Sequence, residues 1–305
     1  MSQQRNRTLF EESIKSKYTA RNYKSHLEQF IRFMKIDNPD KLLSYPSADL
    51  QYKLEDYLFE LKQTKNPNTI PSKFQGIRHF CIMNDINLNW IKLQKMFPRK
   101  QKTQTLRAYT RKEIQQMLKA EKSPRNKALI HFLASTGARV GIFDHKLSMK
   151  HMKKMPKGCI AVLLYAGEIE EYYSFLTPQA AKSLRAYHNL RKKKGEEFTD
   201  NTPIFRVDSK NHTQLGLSGA RTVIWRTVVE KSKINRQMQT NRYDVQVNHG
   251  FRKRFNTILK LDNSVNYNIA EKLMGHKNGL DGVYFTPTLD ELFAEYRKII
   301  DKLEI

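Results

Sequence analysis

Apolar residues recur at helical spacing along most of the chain and predict a mainly α protein with a small β-hairpin or sheet (α+β). Thr19 is placed to cap a helix whose Tyr23, Leu27, Phe30, Ile31 and Met34 share one face. Leu50, Leu54, Leu58 and Leu61 repeat the pattern up to the Lys65-Asn66-Pro67-Asn68 turn. Ile70, Phe74, Ile77 and Phe80 form a third stripe, and Leu88, Trp90, Ile91 and Leu93 a short fourth. These stripes build a small helical core. Farther on, Thr110 and Glu113 form a capping box ahead of Ile114, Met117 and Leu118. Ser123-Pro124 then opens a helix through Leu129, Ile130, Phe132 and Leu133 that stops at Gly137, just before Arg139. Between 159 and 176 the pattern changes to strand, with a turn at Gly167, which predicts one β-hairpin inside a helical domain. Helices return from Pro178, around Arg221–Lys231, from His249 to Lys260 and from Asn266 to Met274. A second capping box, Thr288 to Glu291, starts a last helix with Leu289, Leu292, Phe293, Tyr296, Ile299, Ile300 and Leu303 on one face.

The chain divides by this pattern into a helical domain over 1–95, a linker over 96–108 and a second domain over 109–305, whose C-terminal helix spans 288–304. Charge sharpens the division. From Lys92 to Lys112 there is no acidic residue, and Lys92, Lys95, Arg99, Lys100, Lys102 and Arg107 are candidate DNA contacts on a linker that crosses a groove. The whole chain of 305 residues carries 55 Lys+Arg against 30 Asp+Glu, a net +25. Such an excess repels itself without a polyanion, and nucleic acid is the usual one. Anionic membranes or acidic proteins are the competing partners, but the basic residues are spread over the whole length, not along one amphipathic stretch. Two distant cysteines, Cys81 and Cys159, exclude a disulfide scaffold and a multi-cysteine zinc site. No apolar leader or membrane-spanning run is visible, so the expectation is a soluble cytoplasmic protein associated with DNA, with no membrane partner.

The candidate chemistry is an ordered set: Arg139, His249, Arg252, His276 and Tyr284. Cutting DNA without a metal requires charge stabilisation on the non-bridging phosphate oxygens as a nucleophile adds. Guanidinium groups fit those oxygens with paired hydrogen bonds and stay charged. A phenol, with an ordinary pKa of about 10, needs a base and a positive field before it attacks, and histidine suits the proton work. His249 and Arg252 are three apart, on one face of one helix. Each piece alone has a bland reading: a helix stop with an exposed imidazole, or a tyrosine packed in a core. The order, with a β-hairpin between the first arginine and the His-x-x-Arg pair, is far more specific.

This set resembles the tyrosine recombinase (phage integrase) family. The matching segments are Thr136-Gly137-Ala138-Arg139-Val140-Gly141, the strand pair ending Phe175-Leu176-Thr177-Pro178, His249-Gly250-Phe251-Arg252, Leu273-Met274-Gly275-His276, and Tyr284. Order and rough spacing agree through 109–305. The N-terminal helices, with Thr19 and Tyr23 at a helix start, look like that family's core-binding domain. The Tyr284-Phe285-Thr286-Pro287 ending before a long helix looks most like integrases of archaea and their mobile elements. The resemblance implies that Arg139 and Arg252 hold the scissile phosphate, His249 assists proton transfer, His276 donates a hydrogen bond to the phosphate, and Tyr284 attacks. It implies DNA integration or recombination through a 3′-phosphotyrosine link, with no cofactor, metal or ATP. The implied partners are double-stranded DNA carrying specific sites and further copies of the chain, a dimer on one site and a tetramer in synapsis. In the family the C-terminal helix often docks on a neighbour; the stripe over 289–303 suits that or packing on its own domain.

Three positions depart from the family. The hairpin turn, Ala166 to Glu171, lacks the usual lysine, and Ile169 stands about where it is expected. Ile142 replaces an acidic residue, and Lys253 follows Arg252 where histidine is frequent. Lys157 and Lys210 are the possible general acids in place of the missing lysine. The departures keep open a second function, a catalytically weak or inactive DNA-binding protein on the same fold. A monomeric type IB topoisomerase shares the chemistry without paired sites, and a metal-dependent nuclease lacks its acidic cluster.

Overall fold

The computed structural model describes residues 2–101, 106–207, 213–239, 242–276 and 284–305, with side chains from residue 5 onward. The chain forms two compact units, Met1–Thr103 and Gln104–Ile305.

Among the described residues the first unit holds five α-helices: α1 (Ser2–Glu12), α2 (Lys17–Phe33), α3 (Ser47–Thr64), α4 (Ile70–Met83) and α5 (Trp90–Met96). Ser16, not Thr19, caps α2: its hydroxyl accepts from the Thr19 N–H, so the helix begins earlier than the apolar stripe indicates. The predicted stripes fill the core, with Phe30, Leu54, Leu58, Ile77 and Leu93 all buried. Ile91 is the exception. It stands exposed because α5 is short and turns Leu93 inward.

In the second unit α6 (Arg111–Ala120) starts at the Thr110–Glu113 capping box, with both reciprocal bonds made. Helix α7 (Pro124–Thr136), capped by Ser123, ends at Gly137 in the left-handed region (φ +60°), where a Cβ would also strike the Phe255 ring. The predicted hairpin is part of a three-stranded antiparallel sheet in the order β1 (Met152–Lys154), β2 (Ile160–Leu164), β3 (Tyr172–Leu176). Its register runs from Ile160 opposite Leu176 to Leu164 opposite Tyr172. The sheet lies beside α7: the buried Ser174 hydroxyl donates to the Thr136 carbonyl. Next come α8 (Pro178–Lys193) and α9 (Leu217–Trp225), which continues as a π-helical turn over Arg226–Lys231. A two-stranded sheet, β4 (Met238–Gln239) with β5 (Arg242–Tyr243), precedes α10 (His249–Leu261) and α11 (Tyr267–Leu273).

The last predicted helix is two helices, α12 (Leu289–Arg297) and α13 (Ile300–Leu303), broken where Ile299 leaves helical geometry. Their apolar face is buried in this chain's own second unit. Leu292, Phe293, Tyr296, Ile299 and Leu303 pack with Phe175, Phe255 and Leu259. The Tyr296 hydroxyl, fully buried, donates to the Ser135 carbonyl at 3.0 Å. The stripe is therefore occupied at home.

Candidate active site

Helix α10 carries His249 and Arg252 one turn apart, and its buried face fixes the arginine. Arg252 is 8% exposed. Its Nη1 donates to the Gly137 carbonyl at 2.9 Å and its Nη2 to the Met274 carbonyl. Those carbonyls close α7 and α11, so two helix C-termini turn their negative ends on one guanidinium. The fork geometry of arginine meets both at once. Burial and the like charge of Arg139 lower the Arg252 pKa, against the opposing pull of the Tyr172 phenol.

Arg139 follows α7 at the start of a short 3-10 turn, Val140–Asp144. It lines an open cleft of about 600 Å³ together with Tyr165, Glu170, Gly275 and His276. Arg139 makes no ion pair among the described residues, which leaves its charge for an anion. His249, at the first turn of α10, is accessible to solvent. Its pKa lies below the ordinary histidine value because of desolvation first, then the charges of Arg252, Lys253, Arg139 and Arg221. A neutral imidazole at physiological pH is the form that accepts a proton.

His276 is positioned by the end of α11. The Gly275 N–H donates to the Lys272 carbonyl and the His276 N–H to that of Glu271, a Schellman close with Gly275 at φ +60°. The Tyr172 ring lies where a Cβ on Gly275 would be, so glycine is needed twice over. The His276 Nδ1 lies 2.8 Å from the Glu271 carboxylate. Donation from Nδ1 to that oxygen leaves Nε2 as the unengaged ring nitrogen. Glu271 is buried and also takes Lys260 at 2.6 Å. Burial raises its pKa, but the bonds from Lys260 and His276 outweigh that, and it stays an anion.

Four of the five residues expected in the site are thus neighbours through α7, α10 and α11. Tyr284, the expected nucleophile, is 83% exposed and is not among the residues lining the cleft. Lys157 stands in the Pro156–Gly158 turn ahead of β2, whereas the cleft is at the strand's far end, past Leu164. Five strand residues separate the two ends by roughly 16 Å, so Lys157 stands at the opposite end of β2 from the cleft. Lys210 and Lys102 lie outside the described residues. Of the expected DNA contacts, Lys95, Arg99 and Lys100 are exposed, and Lys92 is exposed but pairs with Glu55 at 2.6 Å. Arg107 corrects the expectation of a free linker cation. It donates to Glu113 at 2.8 Å and to Asp244 at 2.7 Å, and the Glu113 bond first among causes raises its pKa. Its charge is neutralised within the second unit.

Sequence reasoning missed Tyr165, Tyr172, Glu170 and Glu271. The two tyrosines read as strand core, and the two glutamates carried no motif. The one available signal was Glu271, five residues before His276 at a helix end.

No protein-family model and no curated protein matches the chain. Solved structures do. The chain is similar to a lambda integrase dimer bound to a COC′ core site, at 16% identity and a TM-score of 0.58, covering 92% of this chain and 91% of that one. It is also similar to the Tn1549 transposon integrase in complex with transposon right-end DNA, at 16% identity and a TM-score of 0.58, covering 97% and 98%. A XerH site-specific recombinase in a post-cleavage complex matches at 12% identity and a TM-score of 0.53, covering 93% of this chain and 78% of that one. The chain has the integrase fold. The likeness, at 12–16% identity, is one of architecture. Among the described residues, no helix is long and apolar enough to cross a membrane.

Proposed function

We propose that this chain is a site-specific DNA recombinase or integrase that breaks and rejoins strands through a 3′-phosphotyrosine link on Tyr284. The observation that carries the reading is the convergence of Arg139, His249, Arg252 and His276 from three separate segments, with no acidic partner on Arg139 among the described residues. Arg139 and Arg252 bind the scissile phosphate, and their charge is worth most as negative charge grows on its oxygens. His249, held neutral, takes the phenolic proton of Tyr284. His276, steadied by Glu271, donates to a phosphate oxygen. Seven residues lie between His276 and Tyr284 in the sequence, and the phenol serves its own cleft or a neighbour's. The bond energy is kept in the phosphotyrosine, and rejoining needs neither ATP nor metal. Double-stranded DNA and further copies of the chain are the partners, a dimer per site and a tetramer in synapsis. The assignment to archaeal mobile elements rests on the Tyr284 to Pro287 ending.

Two observations favour the second reading, an inactive DNA-binding protein: Glu170 shares the cleft and repels a phosphate, and Tyr284 is not among the cleft-lining residues. One experiment separates them. A library of nicked duplexes with randomised cores is incubated with the protein, denatured in detergent, and DNA travelling with protein is recovered and sequenced. The recombinase reading expects a recovered consensus that disappears with Tyr284→Phe. Specific binding without covalent recovery would support the inactive reading.

A further inference from the structure

Cleavage expels a 5′-oxygen that leaves well only if a proton reaches it, and no lysine stands on the turn between β2 and β3. We propose that Tyr165 is that proton donor, the general acid for the leaving 5′-oxygen; this rests on the strand-transfer reading above.

Tyr165 lines the cleft with Arg139 and His276. It is the first residue after β2, at φ +56°, a left-handed conformation that is unfavourable for a side-chain-bearing residue. Strain of that kind collects where a side chain must be aimed. The ring is held on two sides, edge-on to His145 at 4.8 Å and stacked on Tyr172 at 6.2 Å. Its hydroxyl lies 3.5 Å from where a Cβ on Gly141 would be, two residues beyond Arg139. Among the described residues nothing bonds that hydroxyl. Tyr172, the other phenol here, has its hydroxyl enclosed against Arg252 and does not line the cleft.

The chemistry balances. Tyr284 Oη bonds to phosphorus, and its proton passes to His249. The phosphorus–O5′ bond breaks, its electron pair stays on O5′, and O5′ takes the Tyr165 proton. The Tyr165 phenolate that remains feels Arg139 and Arg252. In rejoining, the 5′-hydroxyl attacks phosphorus and returns its proton to that phenolate, while the phosphorus–Tyr284 Oη bond breaks and the leaving phenol recovers its proton from His249. Burial pushes the Tyr165 pKa up to about 12, with its Tyr172 neighbour adding and the two arginines opposing. The phenol is therefore loaded with its proton at neutral pH, yet remains more acidic than the alcohol it serves.

The test uses the duplex recovered by covalent capture, synthesised with either oxygen or sulfur as the bridging 5′ atom. A thiolate leaves without a proton. With Tyr165→Phe, adduct formation is expected to fall about a hundredfold on the oxygen duplex and to stay within about threefold of wild type on the sulfur duplex. Rescue by sulfur also shows that the variant folds. An equal loss on both duplexes, no loss on oxygen, or sulfur rescue of Glu170→Gln instead would overturn the assignment. Failure of the wild-type protein to capture any duplex covalently would sink the strand-transfer reading itself, and the Tyr165 role with it.

Discussion

Replacing Arg252 with lysine tests whether this residue is both structural staple and phosphate clamp. The guanidinium donates to Gly137 and Met274, joining the ends of α7 and α11. Lysine keeps the buried charge and its repulsion with Arg139, so those costs cancel in the comparison. It lacks the fork, and one of the two charge-assisted bonds is lost, about 2 kcal/mol. In a unit of about 200 residues that lowers the melting transition by roughly 4–8 °C. The same loss on the transition state slows covalent adduct formation about 30-fold. Scanning calorimetry of the full chain, with adduct kinetics on the captured duplex well below the melting range, reads both effects. Arg252→Lys that melts with wild type and cleaves at its rate would show that the guanidinium fork is neither staple nor clamp.

Other predictions rest on separate features. His188 is buried, with its Nε2 3.0 Å from the Ile204 carbonyl; burial first, then the charges of Arg191 and Lys192, lowers its pKa to about 4. Because the unfolded chain protonates first, this neutral histidine's contribution is full above pH 6.5 and falls away toward pH 4, about 3 kcal/mol in all. Urea midpoints between pH 7.5 and 4.5 should drop less in His188→Gln than in wild type; parallel curves would contradict the assignment. Glu271→Gln should cut adduct formation about tenfold by loosening His276, and should cost nothing further in a His276→Ala background. A full additional loss there would place Glu271 in some other role. Changing Lys95, Arg99 and Lys100 together to alanine should flatten the salt dependence of DNA affinity by a log–log slope of about 3. An unchanged slope would show that these exposed cations do not meet phosphates.

Much of the architecture is legible in the sequence, for reasons that vary by element. The capping boxes at Thr110 and Thr288 and the proline after Ser123 are local signals, and each starts a helix as expected. Helix α1 is polar apart from Phe10 and Leu9, and it is held by Phe10 packing on Phe80, a distant contact that no periodicity reveals. Strand β1 is three residues, two of them exposed lysines, and exists only because β2 offers an edge. The arginines and histidines of the site were readable because their order is a motif. Tyr165 and Glu271 were not, since a strand-end aromatic and a helix glutamate acquire a role only from what the fold brings beside them. Arg107 shows the same limit in reverse: a basic run looks free until Glu113 and Asp244 arrive from elsewhere in the fold.

The most direct measurement is the site of the covalent bond. The trapped complex is digested with protease and nuclease, and the peptide bearing a residual nucleotide is sequenced by mass spectrometry. A single modified residue, Tyr284, linked to a 3′-phosphate, is the expected result. A nucleotide on any other residue, or a 5′-phosphate linkage, would contradict it.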